Sequence, residues 1–224
     1  MDTTADPTAS TLMVVRVWLP DRPGALGLVA SRIGALGADI VGVDVLERSD
    51  TVAVDEFAVS LPRADLELVR LLVREIEQVD GASVEEWRTV QRFPDPRLDV
   101  LETVESVAAA RDVPDLVARL VAGVRVEFDA DWAAVLRDGE VTAAAGDGAP
   151  SPGALVALAA GTIASPMVAD GHAGPDDLAV APLPTHDATL LAGRDGHPFR
   201  RRERQQLLAL ARVADRVAVL LASR

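Results

Sequence analysis

Between Leu12 and Val90 the chain switches repeatedly between the two-residue period of a strand and the 3.6-residue period of a helix. This switching is what most narrows the fold. Leu12 to Leu19 is a β-rich run that Pro20 stops. Asp21-Arg22-Pro23-Gly24 reads as a loop into a helix over Ala25–Leu36, with Leu26, Val29, Ile33 and Leu36 at helical spacing. Gly37 is placed to end that helix in the left-handed conformation. Strands follow over Asp39–Glu47 and Thr51–Leu61, joined as a hairpin through Ser49-Asp50. A second helix covers 64–79 with Leu66, Val69, Leu72, Val73 and Ile76 on one face, and Ala82–Val90 is a fourth strand. The order βαββαβ is that of a ferredoxin-like α+β domain.

Phe93-Pro94-Asp95-Pro96 then interrupts the pattern with two closely spaced prolines, a stiff non-helical spacer. We therefore divide the chain into a disordered leader at 1–10, a first domain at 11–92, a linker at 93–97 and a second domain at 98–224. The second domain reads as helices over Leu98–Arg111 and Pro114–Phe128, then a hairpin around Asp138-Gly139. A short helix over Leu155–Ile163 follows, then strands at Leu178–Leu183 and Ala188–Ala192. A long helix from Arg200 to Ser223 carries a stripe of Leu207, Leu210, Ala211, Ala214, Val217 and Leu221. The expectation is again α+β, helices bracketing an antiparallel sheet.

Composition limits the chemistry. The 224 residues, 49% hydrophobic, are enough for two cores. A net charge of −13 opposes nonspecific contact with a phosphate backbone or an anionic membrane, so neither nucleic acid nor membrane is an expected partner. No apolar run approaches the roughly 18 residues that would span a bilayer. The first ten residues lack the features of an export signal, and a cytoplasmic location is expected. There is no Cys, so disulfides and thiolate chemistry are excluded, and all 22 basic residues are Arg, so no Lys can serve as base or Schiff-base donor. No phosphate-binding loop, nucleophile elbow or dinucleotide fingerprint occurs. Adjacent acids such as Glu85-Glu86 and Asp176-Asp177 would point to opposite faces of a strand. Neither catalysis nor a cofactor is expected.

The most specific chemistry lies at Asp21-Arg22-Pro23-Gly24-Ala25-Leu26. The backbone N–H groups of Gly24, Ala25 and Leu26 stand at a helix N-terminus, which suits a carboxylate, and Asp21 nearby can pair with an ammonium. Together these describe an α-amino acid. The alternative is structural: Asp21 caps the helix, and Pro23-Gly24 only turns the chain.

These residues, followed by Gly37-Ala38-Asp39-Ile40, resemble the ACT domain family over roughly residues 12–90. That resemblance implies an amino-acid or similar small-molecule ligand bound between two copies, the first loop of one facing the second strand of the other. It implies a homodimer and a site drawn from Asp21, Arg22, Pro23, Gly24, Ala25, Leu26, Gly37, Asp39, Ile40 and Val41. Asp39 stands where the family often has Asn, and an ionised carboxylate accepts hydrogen bonds without donating them.

The second half resembles a GAF domain through Leu178–Leu183, Ala188–Arg194, His197-Pro-Phe-Arg200 and the closing helix. That implies a second ligand sensor or a dimerisation unit. His172, His186 and His197 are read as solvated loop residues, and Arg200-Arg201-Arg202-Glu203-Arg204 as a solvated face. The combined expectation is a non-catalytic, dimeric, amino-acid-sensing regulatory protein. The alternative is a ligand-free interaction module that holds and regulates a partner enzyme.

Overall fold

A computed structural model describes residues 10–63, 65–95, 98–163, 171 and 175–223. The chain divides into two compact units, Met1–Pro94 and Asp95–Arg224. The leader's first nine residues, His172, and Pro96 and Arg97 of the linker lie outside the described residues.

The first unit runs β1 (Thr11–Pro20), α1 (Ala25–Ala35), β2 (Asp39–Arg48), β3 (Val52–Leu61), α2 (Leu66–Glu77) and β4 (Ser83–Val90). Its four-stranded antiparallel sheet has the order β2-β3-β1-β4, the split βαβ arrangement. Odd-numbered residues of β1 (Met13, Val15, Val17, Leu19) share one face with Phe57, Val59 and Leu61 of β3, and α1 and α2 close over them. The residues α1 buries are Ala25, Val29 and Ile33. Leu26 and Leu28 are exposed, so the predicted stripe is rotated toward Ala25. In α2, likewise, Leu68 is buried and Leu66 exposed. β1 ends at Pro20 as predicted, with Pro20 itself included. It is the strand's last residue, opposite Val52, at a place where it need not donate a ladder hydrogen bond.

The opposite face of this sheet is charged. Arg16 is buried with its Nε 2.7 Å from Glu56 and 3.5 Å from Glu86. Trp18 donates from Nε1 to Glu85 at 2.9 Å. Glu85 and Glu86 therefore meet side chains of the same face, contrary to the alternation expected of neighbours. The cause is a β-bulge: Arg16 pairs with Glu86 and Val17 with Val84, which leaves Glu85 as the extra residue.

The second unit begins with α3 (Leu98–Ala108) and α4 (Val113–Glu127), then β5 (Trp132–Arg137), β6 (Glu140–Gly146) and α5 (Pro152–Ile163). It continues with β7 (Leu178–Leu183), a single 3-10 turn at Pro184–His186, β8 (Ala188–Gly193) and α6 (Arg201–Ala222). The antiparallel sheet order is β6-β5-β8-β7. Asp138 and Gly139 turn the β5–β6 hairpin with φ 53° and 77°, the conformation that Asp-Gly is suited to. One sheet face (Ala133, Val135, Ala179, Ala181, Leu190, Ala192) packs on α3, α4 and α6. The other (Trp132, Ala134, Leu136, Val180, Leu191) packs on Leu155 and Ala159 of α5.

A buried charge pair ties the end of this sheet to α6. The Arg194 guanidinium meets both Glu203 oxygens at 2.8 and 2.9 Å and also donates to the carbonyls of Phe128, His197 and Pro198. It stacks on Phe199 at 4.0 Å. Glu203 accepts the Arg200 N–H at 2.7 Å and so caps α6, while Arg204 donates to the carbonyls of Leu178 and Pro175. The Arg200–Arg204 cluster is therefore not a solvated face throughout. Arg201 is exposed, but Glu203 and Arg204 are buried structural residues. Among the described residues no helix is long and apolar enough to cross a membrane.

Candidate functional site

The loop between β1 and α1 has the geometry of an anion site. Gly24 adopts φ 90°, the left-handed region open to a residue without Cβ, and serves as N-cap with no side chain bonded to the helix end. The chain folds back here: the Arg22 N–H donates to Pro20 O at 2.8 Å and the Ala25 N–H to Arg22 O at 3.3 Å. Among the described residues no acceptor takes the N–H groups of Gly24, Leu26 or Gly27. Three amides at the positive end of an eleven-residue helix are thus available to a carboxylate. Ala25, one of the three amides predicted, spends its N–H within the loop, and Gly27, which was not predicted, stands in its place.

Asp21 does not cap the helix. Its N–H donates to Thr51 O at 2.9 Å, and its side chain accepts from Arg48 Nε at 2.6 Å. Arg22 lies 3.5 Å from the almost fully exposed Asp80, a contact of little energetic weight. A further acid, Asp55 of β3, completes the polar cluster. It is buried opposite Val17 and Val45, and its Oδ1 has no hydrogen-bond partner among the described residues. Burial pushes its carboxyl above the ordinary range, the Asp21 charge adds to this, and Arg48 opposes it. Asp55 was not singled out in the sequence. The signal was there: it has the same parity as Phe57, Val59 and Leu61, and a charged residue at an inward position of a strand needs a reason.

The other predicted residues lie elsewhere. Gly37 takes φ 70° and ends α1 as expected. Asp39 and Val41 are exposed and Ile40 is half-buried on β2. Asp39 pairs with Ser60, which pairs with Leu12, so it sits level with the start of β1. Asp21 follows the end of β1, about 30 Å away at ~3.3 Å per residue over the nine steps from Leu12. One copy of the chain therefore does not bring Asp21–Leu26 and Gly37–Val41 together. β2 is an edge strand whose Val41, Val43 and Val45 are all exposed.

In the second unit, His186 and His197 are mostly covered, not solvated as predicted. His186 Nδ1 lies 3.2 Å from Asp215 and His197 Nε2 lies 3.9 Å from Asp129. A cavity of about 730 Å³ at one end of the sheet is lined by Asp129, Asp131, Asp147, Asp177 and Asp195, with Arg125 and Arg194. Among the described residues no three His or acidic groups converge as a metal site would require.

No family model matches the chain, and no curated protein matches it. Among solved structures it is similar to the ACT domain of a GTP pyrophosphokinase from Chlorobium tepidum, at 15% identity over 36% of this chain and 100% of that one, TM-score 0.31. It is also similar to a formyltetrahydrofolate deformylase from Pseudomonas putida KT2440, at 13% identity over 40% of this chain and 36% of that one, TM-score 0.30. A third likeness is to the phytochrome photosensory core module of Stigmatella aurantiaca, at 12% identity over 97% of this chain and 58% of that one, TM-score 0.42. Likenesses of this size assign neither family nor function.

Proposed function

We propose that this chain is a non-catalytic regulatory sensor, its N-terminal unit an ACT-type receptor for an amino acid and its C-terminal unit a GAF-like second sensor or dimerisation domain. The observation that carries the reading is the loop. Three amides without acceptors surround a left-handed Gly24 at the start of α1, beside the Asp21–Arg48–Asp55 cluster. The amides suit a carboxylate and the acids an ammonium, with Arg48 displaced or shared. The separation of Asp21–Leu26 from Gly37–Val41 is met if the ligand lies between two copies. The open β2 edge, with its exposed valines, is a surface through which a second copy can pair.

The test is a thermal-shift and calorimetric panel of the twenty amino acids against the full-length protein and Gly24→Val. At least one amino acid should bind the parent chain and not the variant. The absence of heat and of any melting shift across the panel refutes the receptor reading. The Arg48–Asp21 contact favours one second reading, since the chain itself already pairs the Asp21 carboxylate. In that reading the unit docks a partner enzyme, and a stoichiometric partner should co-purify without amino acids.

A further inference from the structure

The sheet face that packs on α3, α4 and α6 has a gap in its core. A cavity of about 290 Å³ lies among residues of α4, the β5–β6 hairpin, the 3-10 turn and α6. Its apolar wall includes Leu116, Val117, Val135, Leu183, Ala214 and Ala218. Protein interiors seldom leave voids much larger than a water, whose share of liquid volume is roughly 30 Å³. This cavity is about ten times that and opens to solvent past the half-exposed Arg137, with the small Ala214 and Ala218 of α6 in its wall.

Arg137, Thr142, His186 and Asp215 are the polar residues of the wall. Thr142 spends its hydroxyl on Val135 O at 3.1 Å. Asp215 is saturated: it accepts from the Thr185 N–H at 3.2 Å and from Thr185 Oγ1 at 2.6 Å, and pairs with His186 Nδ1 at 3.2 Å. Burial works against its charge, but these hydrogen bonds outweigh burial and hold the carboxyl below its ordinary range. Its oxygens are thus engaged by Thr185 and His186, and it orients the imidazole ring. Arg137 is the polar group with donors to spare. Its one ionic contact among the described residues is Asp138 at 3.5 Å, with both side chains more than half exposed.

An apolar cavity with one uncommitted cation at its wall matches an amphipathic anion. We infer that this cavity is a binding site for a small carboxylic acid with an apolar tail, about ten non-hydrogen atoms in all at ~30 Å³ each. The carboxylate pairs with Arg137, and the chain lies along Leu116, Val135, Ala214 and Ala218. This site is in the second unit and does not rest on the receptor reading of the Asp21–Leu26 loop.

Sodium octanoate is the probe, titrated calorimetrically into the full-length protein, with octylamine as the cationic control. Octanoate should bind one per chain and octylamine should not. Arg137→Gln should weaken octanoate at least tenfold. Ala218→Leu and Val117→Phe, which fill the cavity, should each do the same, with folding checked by circular dichroism. Gly24→Val should leave octanoate affinity unchanged, so that a failure here and a failure of the amino-acid site are distinguishable. If one filled variant does not fold, the other and Arg137→Gln decide. No heat from octanoate, equal binding of octylamine, or parent affinity in the folded filled variants overturns the inference.

Discussion

Replacing Glu127 by Gln should remove a pH dependence that the parent protein carries. Glu127 is the last residue of α4, and its Oε2 is buried with no hydrogen-bond partner among the described residues. Burial, and then the nearby Asp99 carboxylate, pushes its carboxyl from 4.5 to about 7. The folded chain thus keeps a proton that the unfolded chain releases near pH 4.5. Between those values the unfolded state binds fewer protons, so stability falls as pH rises and levels off above about pH 7. At ~1.4 kcal/mol per pH unit the full interval corresponds to about 3 kcal/mol. Glu127 is only partly buried, and solvent screening reduces this to about 2 kcal/mol. Glu127→Gln carries no charge at any pH. It should match the parent near pH 4.5 and exceed it by about 2 kcal/mol at pH 8.5, roughly 8 °C in melting temperature for a unit of this size. Scanning calorimetry of both proteins across pH 4.5 to 8.5 reads the effect. Parallel profiles for the two proteins would refute the argument.

Three further outcomes follow from the packing. Arg194→Ala leaves Glu203 buried without its partner and should cost about 3–5 kcal/mol in urea denaturation, far more than removal of the exposed Arg201. Gly193→Ala places a Cβ 2.2–2.6 Å from the Trp132 ring, a rigid neighbour, and should cost about 1–3 kcal/mol by the same assay. A Cβ at Gly24 meets no atom within 4 Å, so Gly24→Val should cost about 1–2 kcal/mol from the left-handed backbone, and a folded variant should remain for binding measurements.

The element order was legible because strand and helix periods differ and because Gly37 and Asp138-Gly139 carry strong turn chemistry. Helix phase was less so. In α1 the sequence favours Leu26, but the sheet docks the side that bears Ala25, since burial is set by where the helix lands and not by its richest stripe. The bulge at Glu85 was invisible, because nothing local distinguishes it from regular alternation. Glu203 and Arg204 read as part of a solvated face, yet Glu203 accepts from the buried Arg194 and Arg204 donates to the Leu178 carbonyl, and both are buried. Of the candidate site, the Asp21–Leu26 loop was readable from Pro23-Gly24. Its partner Arg48 was not, since it comes from the far hairpin, and Asp55 showed only as a charge at an inward position of β3, with nothing local to tie it to the loop.

The central claim is that the amides at the start of α1 receive an amino-acid carboxylate. Two-dimensional ¹⁵N–¹H NMR of the full-length protein reads those amides directly. The account predicts that one amino acid shifts the Gly24, Leu26 and Gly27 cross-peaks saturably, and that the corresponding amine without its carboxylate does not. If millimolar additions of each of the twenty leave the cross-peaks of residues 21–27 unmoved, the receptor assignment is contradicted.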